Sequence, residues 1–371
     1  MVRVLYFVGS FEQGGTERQV AELIRHLPGD RYEAHLAVCH SADQLGYALP
    51  VASRTVLRAP HGPEPVTLVR LVRLVRRLAP DIVHAFHDPQ NTYARLAVWI
   101  AGQGKTIGSL RSTRLPRRTL RRERITSRLG SAVIVNSSSI RDELSAAKAG
   151  AERVHVVHNG VDSERFRPLS ETERRRERQR FGMDGTTFVV PARIARQKNQ
   201  LAVVRAVAEL AARGQWPHAA RVILAGRSEP AGHYARRVRA SARAAGLSEL
   251  VRVCDPVVDV EMLLGAADAV LLPSHYEGLP NAVLEALACG TPCIVSGAAN
   301  ADDLVSHGRT GLVLPDASSA SIASAMRALL RDGGALRAAA MAEREGFVER
   351  FAVGRMVADT CAVYERALAS R

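Results

Sequence analysis

Lysine is almost missing from this chain. Of its 51 basic residues only Lys105, Lys148 and Lys198 are lysines, so arginine is written almost wherever a positive charge serves. A lysine kept against that bias marks a place where a compact ammonium suits better than a planar fork. Cysteine is scarce as well: Cys39, Cys254, Cys289, Cys293 and Cys361 form an odd, scattered set. This excludes a disulfide framework and paired metal-ligand spacing, and points to a reducing compartment. Cys289 and Cys293 straddle Gly290 and Pro292, which argues against two ligands on one helix face. Phe, Trp and Tyr make up 5% of the chain, too few to interleave with its cations as base-stacking platforms do. No apolar run reaches the roughly 18 to 20 residues that span a bilayer. The opening MVRVLYFVGS shows no small-residue cleavage site, and a cytoplasmic location is expected.

What is present is a soluble, globular composition with 47% hydrophobic and 24% charged residues. At 371 residues, the length suggests two domains. The net charge of +14 is uneven: residues 1–162 carry 23 Lys plus Arg against 14 Asp plus Glu, and the remainder 28 against 23. A basic first half implies an anionic partner: membrane lipid, a phosphorylated acceptor or nucleic acid.

Short apolar runs alternate with amphipathic stretches, the rhythm of strand–helix–strand units around a parallel sheet. Strands are expected at 2–8, 34–39, 82–84, 106–110, 132–136 and 154–158, with helices such as 16–26 and 66–78. The rhythm restarts with strands at 187–191, 221–225, 251–254, 269–272, 292–296 and 311–314. Helices are expected at 199–213, 233–245, 260–266, 281–288 and 319–330. The turn Asn159-Gly160-Val161-Asp162, followed by Pro168 and the charge-dense stretch 171–180, marks the break. Residues 1–163, completed by a terminal helix over 353–371, are expected to form an acceptor domain, and 164–352 a donor domain. The last stretch, 347–368, reads as helix. Two such doubly wound α/β halves are expected to meet in a cleft at the carboxyl ends of their strands.

The densest chemical signal runs from Pro273 to Pro292. Glu277 precedes a turn, Gly278 permits close backbone approach, and Leu279, Pro280 and Asn281 lead into a helix whose amides favour an anion. Glu285, one turn inside, suits a pair of vicinal hydroxyls. Earlier, Arg193 and Lys198 put two cations on one strand-to-helix loop, suited to a diphosphate leaving group. Gly14 and Gly15, between the first strand and first helix, let the backbone pass close to a phosphate or sugar.

Glu277, seven residues, Glu285, then Ala288-Cys289-Gly290-Thr291-Pro292 resembles the signature of the family 4 retaining glycosyltransferases. Gly14 to Glu17, Asn159 to Asp162 and Arg193 to Asn199 fit the same pattern. The resemblance implies the GT-B fold, two Rossmann-like doubly wound domains facing each other across a cleft. It implies that Glu277 approaches the donor hexose, Glu285 holds the ribose, and Arg193 and Lys198 hold the diphosphate. It makes Asp259 a donor-binding position, with the preceding loop, Pro256 to Val258, by the nucleobase, and it places a histidine near the reaction centre. The family's His-x-His is here His84-Ala-Phe-His87, and His87, further out of the strand, is favoured. Catalytic residues are then His87, Glu277, Arg193 and Lys198, with front-face displacement as the implied mechanism. With no aspartate pair or histidine cluster to hold a divalent ion, neither metal nor cofactor is expected.

The expected reaction moves a hexose or N-acetylhexosamine from a UDP- or GDP-sugar to a hydroxyl of a lipid-linked saccharide or surface-polysaccharide intermediate. A GT-B epimerase or phosphorylase, a transferase acting on a small natural-product aglycone and, last, a nucleic-acid-binding protein are the alternatives. Eight arginines crowd 111–128, among them Arg111, Arg114, Arg117, Arg118, Arg121 and Arg122. With the basic stripe of 66–78 they suggest an acceptor or anionic-membrane surface on the inner face of the plasma membrane. The solvated face of ordinary packed helices is the competing reading.

Overall fold

A computed structural model describes residues 1–11, 14–40, 49–58, 65–228 and 232–370. The chain divides into two compact units, 1–160 with 353–371, and 161–352.

The first unit is built from β1 (Val2–Val8), α1 (Gly15–Arg25), β2 (Tyr32–Val38), β3 (Ser53–Val56), α2 (Pro65–Leu78), β4 (Ile82–Phe86), α3 (Gln90–Ala101), β5 (Lys105–Leu110), α4 (Arg117–Thr126), β6 (Ala132–Val135), α5 (Ser138–Ala146) and β7 (Val154–Val156). The second contains α6 (Glu171–Phe181), β8 (Thr187–Pro191), α7 (Gln200–Ala212), β9 (Arg221–Ala225), α8 (His233–Ala244), β10 (Val251–Cys254), α9 (Val260–Ala266), β11 (Ala269–Leu272), α10 (Asn281–Ala288), β12 (Cys293–Ser296), β13 (Gly311–Leu314) and α11 (Ser319–Arg350). α12 (Val353–Ala369) returns to the first unit.

Each unit is one parallel sheet covered on both faces, which is why its central strands are mainly apolar runs rather than alternating. In β1, Val4, Tyr6 and Val8 join the core under α1 and α12, while Leu5 and Phe7 join Leu71, Val75, Ala94 and Val98 under α2 and α3. The first sheet runs β3-β2-β1-β4-β5-β6-β7 and the second β10-β9-β8-β11-β12-β13. In both, the chain winds outward from the first strand, then returns to the other side of it. The switch points fall between β1 and β4, in register Val4 with Ile82, and between β8 and β11, Ala269 with Phe188. Loops leaving two strands at a switch point diverge to opposite faces and leave a crevice, where α/β proteins bind ligands.

Three sequence expectations change. The charge-dense stretch after the junction is the helix α6, started by a capping box between Ser170 and Glu173 and ended at left-handed Gly182. Two of its five arginines turn inward as ion pairs: Arg174 and Arg178 hold Asp268 at 2.7 and 2.9 Å. β3 is a short, largely exposed edge strand with no apolar pattern to announce it. The terminal helix is two: α11, kinked at Asp332, runs on to Arg350, and α12 starts at Val353 after a break at Phe351 and Ala352.

Candidate functional site

In the second unit the loops after β8 and β11 hold each other. Lys198 Nζ donates to Glu277 Oε1 at 2.5 Å, with both side chains largely buried. Arg193, exposed at the start of the same loop, reaches Gln197 Oε1 at 3.3 Å. Gln197 spends its amide on the facing loop, donating to the Tyr276 carbonyl at 2.8 Å, and its own carbonyl accepts from the His275 amide, also at 2.8 Å. Gln200, fully buried, ties the Arg193 carbonyl from the first turn of α7 at 2.9 Å. Arg193, Lys198 and Glu277 are thus brought together by one brace whose centre, Gln197, carries no charge to advertise it in the sequence.

The brace needs a glycine on the neighbouring strand end. Gly226, just past β9, lies so close to the loop that a Cβ there would stand 2.1 Å from the Ala192 carbonyl oxygen and 3.1 Å from the Arg193 amide nitrogen. Sequence reading passed over Gly226 too; an apolar strand ending in Ala-Gly was the available signal.

Gly278, Leu279 and Pro280 are buried, and α10 begins at Asn281 without a side-chain cap. Glu285 is 6% exposed within α10. Burial first and this carboxylate second push the Cys289 thiol up to about 12. Asp259 is the N-terminal flank of α9, and its carboxylate holds Arg180 of α6 at 2.7 Å. Among the described residues no three His, Cys, Asp or Glu side chains are grouped as ligands of a metal ion.

In the first unit the switch point brings Thr16 and His87 together, Oγ1 to Nε2 at 2.8 Å. Gly14 is extended and α1 starts at Gly15, with the Glu17 carboxylate folded back over Gly14. His87 sits just past β4 in the left-handed region, φ 68°, where its amide donates to the Ser109 carbonyl. His84, one strand turn deeper, is a core residue: its ring bonds Tyr364 at 2.7 Å and Ser109 at 2.8 Å and stacks on Phe86.

Two of the six arginines assigned to an acceptor or membrane surface turn inward instead. Arg111 lies over the Phe86 ring and donates to Asn159 Oδ1 at 2.7 Å; its burial lowers the guanidinium to about 10, which leaves it a cation at neutral pH. Arg122 folds onto Asp88 at 2.7 Å. The reason is local: α4 has a polar inner face, where Glu123 and Arg95, each 1% exposed as side chains, pair at 2.7 Å. Gly108 and Gly130 leave room for the Arg95 side chain. Arg114, Arg117, Arg118 and Arg121 remain exposed.

Burial, and secondarily Arg111, hold the His87 ring down to about 4, and burial moves His84 in the same direction. Both rings are therefore neutral at pH 7. Between pH 6.5 and 4 the unfolded chain takes up protons that the folded chain refuses, so stability falls as pH falls through that window. Melting temperatures are expected to drop across it. His87→Asn, which tolerates the left-handed backbone, should make the drop shallower; an unchanged pH slope in that variant contradicts the assignment.

Residues 13–165 match the family described as Glycosyltransferase Family 4, and residues 185–332 that described as Glycosyl transferases group 1. A D-inositol 3-phosphate glycosyltransferase of Catenulispora acidiphila is 32% identical over 237 residues, covering 61% of this chain and 56% of that protein. The chain thus spans little more than half the length of this relative. A GDP-mannose-dependent α-(1-6)-phosphatidylinositol monomannoside mannosyltransferase of Mycobacterium tuberculosis is 29% identical over 358 residues, covering 90% of each chain. Anabaena HepE, solved in complex with UDP and glucose, superposes with a TM-score of 0.85 at 21% identity, covering 98% of this chain and all of that one. That likeness shows the fold, two Rossmann-like units of the GT-B class. With both units matched, the chain belongs to the group 1, family 4 glycosyltransferases.

Proposed function

We propose that this protein transfers a hexose or N-acetylhexosamine, with retention of configuration, from a UDP- or GDP-sugar to a hydroxyl of a lipid-linked saccharide or surface-polysaccharide intermediate. The observation that carries the reading is the Lys198–Glu277 pair at the second unit's switch point, braced to Arg193 through Gln197. A diphosphate entering beside Lys198 offers the ammonium a more highly charged partner than Glu277. The pair then separates: Lys198 and Arg193 take the phosphate charge that grows as the glycosidic bond breaks, and Glu277 is released to accept hydrogen bonds from the hexose hydroxyls. Glu285, deeper in α10, suits the ribose diol, and Asp259 the neighbourhood of the base. In this scheme the two cations do the work a divalent ion does elsewhere, and no metal is required.

In the first unit, neutral His87, oriented by Thr16, suits a hydrogen bond with a substrate hydroxyl. The relatives are named for inositol phosphate, phosphatidylinositol mannoside and GDP-mannose, and HepE was solved with UDP and glucose. These support an activated-sugar donor and leave the base between uracil and guanine. No helix among the described residues is long and apolar enough to cross a membrane. We place the protein in the cytoplasm, peripheral on the inner face of the membrane, held by the exposed arginines of α2 and α4.

A panel of nucleotide sugars tested by thermal shift, then by slow hydrolysis without acceptor, checks the reading. One UDP- or GDP-sugar should raise the melting temperature and release its nucleoside diphosphate. Accumulation of an isomeric nucleotide sugar, or dependence on inorganic phosphate, would replace transfer with epimerisation or phosphorolysis.

A further inference from the structure

The inner face of α4 is polar where a packed helix is usually apolar: Thr119, Glu123 and Thr126 are all buried there. Glu123 pairs with Arg95 of α3 in a setting closed to water. An ion pair so deep gives little net stability, because lost hydration offsets the attraction, and two apolar side chains of similar size would hold the helices as well. Its connections point to another task. Asn91, fully buried at the start of α3, presents its side-chain nitrogen to Glu123 Oε1 at 3.4 Å. A carboxylate only accepts, so it fixes which end of the Asn91 amide faces it. The same amide then grips the end of β5 twice. Its nitrogen donates to the Ser109 carbonyl and its oxygen accepts from the Ser109 amide, both at 3.2 Å.

The Ser109 carbonyl also receives the His87 amide at 2.8 Å, and the His87 carbonyl receives the Asn91 amide at 2.9 Å. His87 is thus bonded on both sides of its left-handed φ of 68°, a conformation that a residue with a side chain keeps only where its surroundings impose it. Asp88, the next residue, is tied to the same helix: its carboxylate accepts from Thr119 Oγ1 at 3.2 Å and from Arg122 at 2.7 Å. One helix therefore holds the turn at two points, through Asn91 and through Asp88.

We infer that Glu123, Arg95 and Asn91 are positioning residues: from the inner face of α4 they lock the turn that carries His87, and so aim its ring at the substrate hydroxyl. The inference rests on the role given to His87 above, and amide exchange tests the lock without any substrate.

Arg95→Met with Glu123→Leu removes both charges, keeps the volume and should melt close to the parent. Asn91→Ala reaches the turn without touching the ion pair. In either protein the amides of His87 and Asn91, followed by NMR, should exchange about 10-fold faster or more, while those of β1 keep their rates. Hydrolysis of UDP-glucose and of GDP-mannose should show kcat about 10-fold lower, with donor KM changed by less than about 2-fold. His87→Asn supplies the background that separates positioning from stability. There the same substitutions should lower kcat no further, since residues that act through His87 have no ring left to aim. Ile125→Ala, on the exposed side of α4, should match the parent in every measurement. Unchanged exchange at His87 and Asn91, unchanged kcat despite faster exchange, or an equal loss with and without the His87 ring overturns the inference. If the parent hydrolyses neither donor, the transferase reading fails on its own, and the exchange rates alone decide the lock.

Discussion

Replacing Lys198 with alanine is expected to lower kcat roughly 10²- to 10³-fold, the usual consequence of removing one preorganised donor from a developing charge. Lys198 and Glu277 make one 2.5 Å contact in a largely buried setting. The substitution therefore also takes an ion-pair partner from Glu277, at a cost of about 1–3 kcal/mol in the stability of the second unit. The two effects separate in a double variant. Lys198→Ala with Glu277→Gln should recover stability, because a neutral amide tolerates the missing cation, yet should recover no turnover. Lys198→Arg should also fail to restore the rate, since a planar fork does not occupy the place of a compact ammonium. Kinetics and thermal unfolding on the same four proteins check this. Full activity in Lys198→Ala would remove Lys198 from the chemistry.

Gly226→Ala should be nearly as damaging, although Gly226 touches no substrate in the scheme. The added methyl would stand 2.1 Å from the Ala192 oxygen and 2.6 Å from its carbonyl carbon, and both are backbone atoms that cannot swing aside. The loop carrying Arg193 must move instead, and a shift near 1 Å at a positioned group costs about 10²-fold in rate. Forcing it out should cost about 1–3 kcal/mol as well. Gly297→Ala is the control: it meets nothing within 4 Å and needs no positive φ, so it should behave as the parent. Donor-dependent turnover and melting temperature in the two variants decide. Equal activity in Gly226→Ala would mean that the position of the Arg193 loop does not set the rate.

The candidate residues that the second unit brings together stood out in the sequence for different reasons. Lys198 stood out against the arginine bias, and the glutamates showed by their spacing around Gly278 and Pro280. The strands showed too, because parallel strands buried on both faces are unbroken apolar runs: β1, β8, β9, β10, β11 and β13 occupy the expected ranges. Gln197 and Gly226 escaped because their roles are geometric: one bridges two loops far apart in sequence, the other keeps a space empty. α4 escaped in another way. Its inward side carries Thr119, Glu123 and Thr126 rather than an apolar stripe, so its arginines read as one exposed patch until the buried Arg95–Glu123 pair gave the helix a direction. α6 was misread for a similar reason, although its Ser170-x-x-Glu173 capping box was open to view.

In the proposed function, the loops after β8 and β11 together form one site for the diphosphate of an activated sugar. Amide hydrogen exchange, followed with and without saturating UDP or GDP, tests this most directly. Slower exchange in both segments, 192–200 and 273–285, on adding the same nucleotide is the predicted result. Protection of one segment without the other, or of neither while the nucleotide is bound elsewhere, would contradict it.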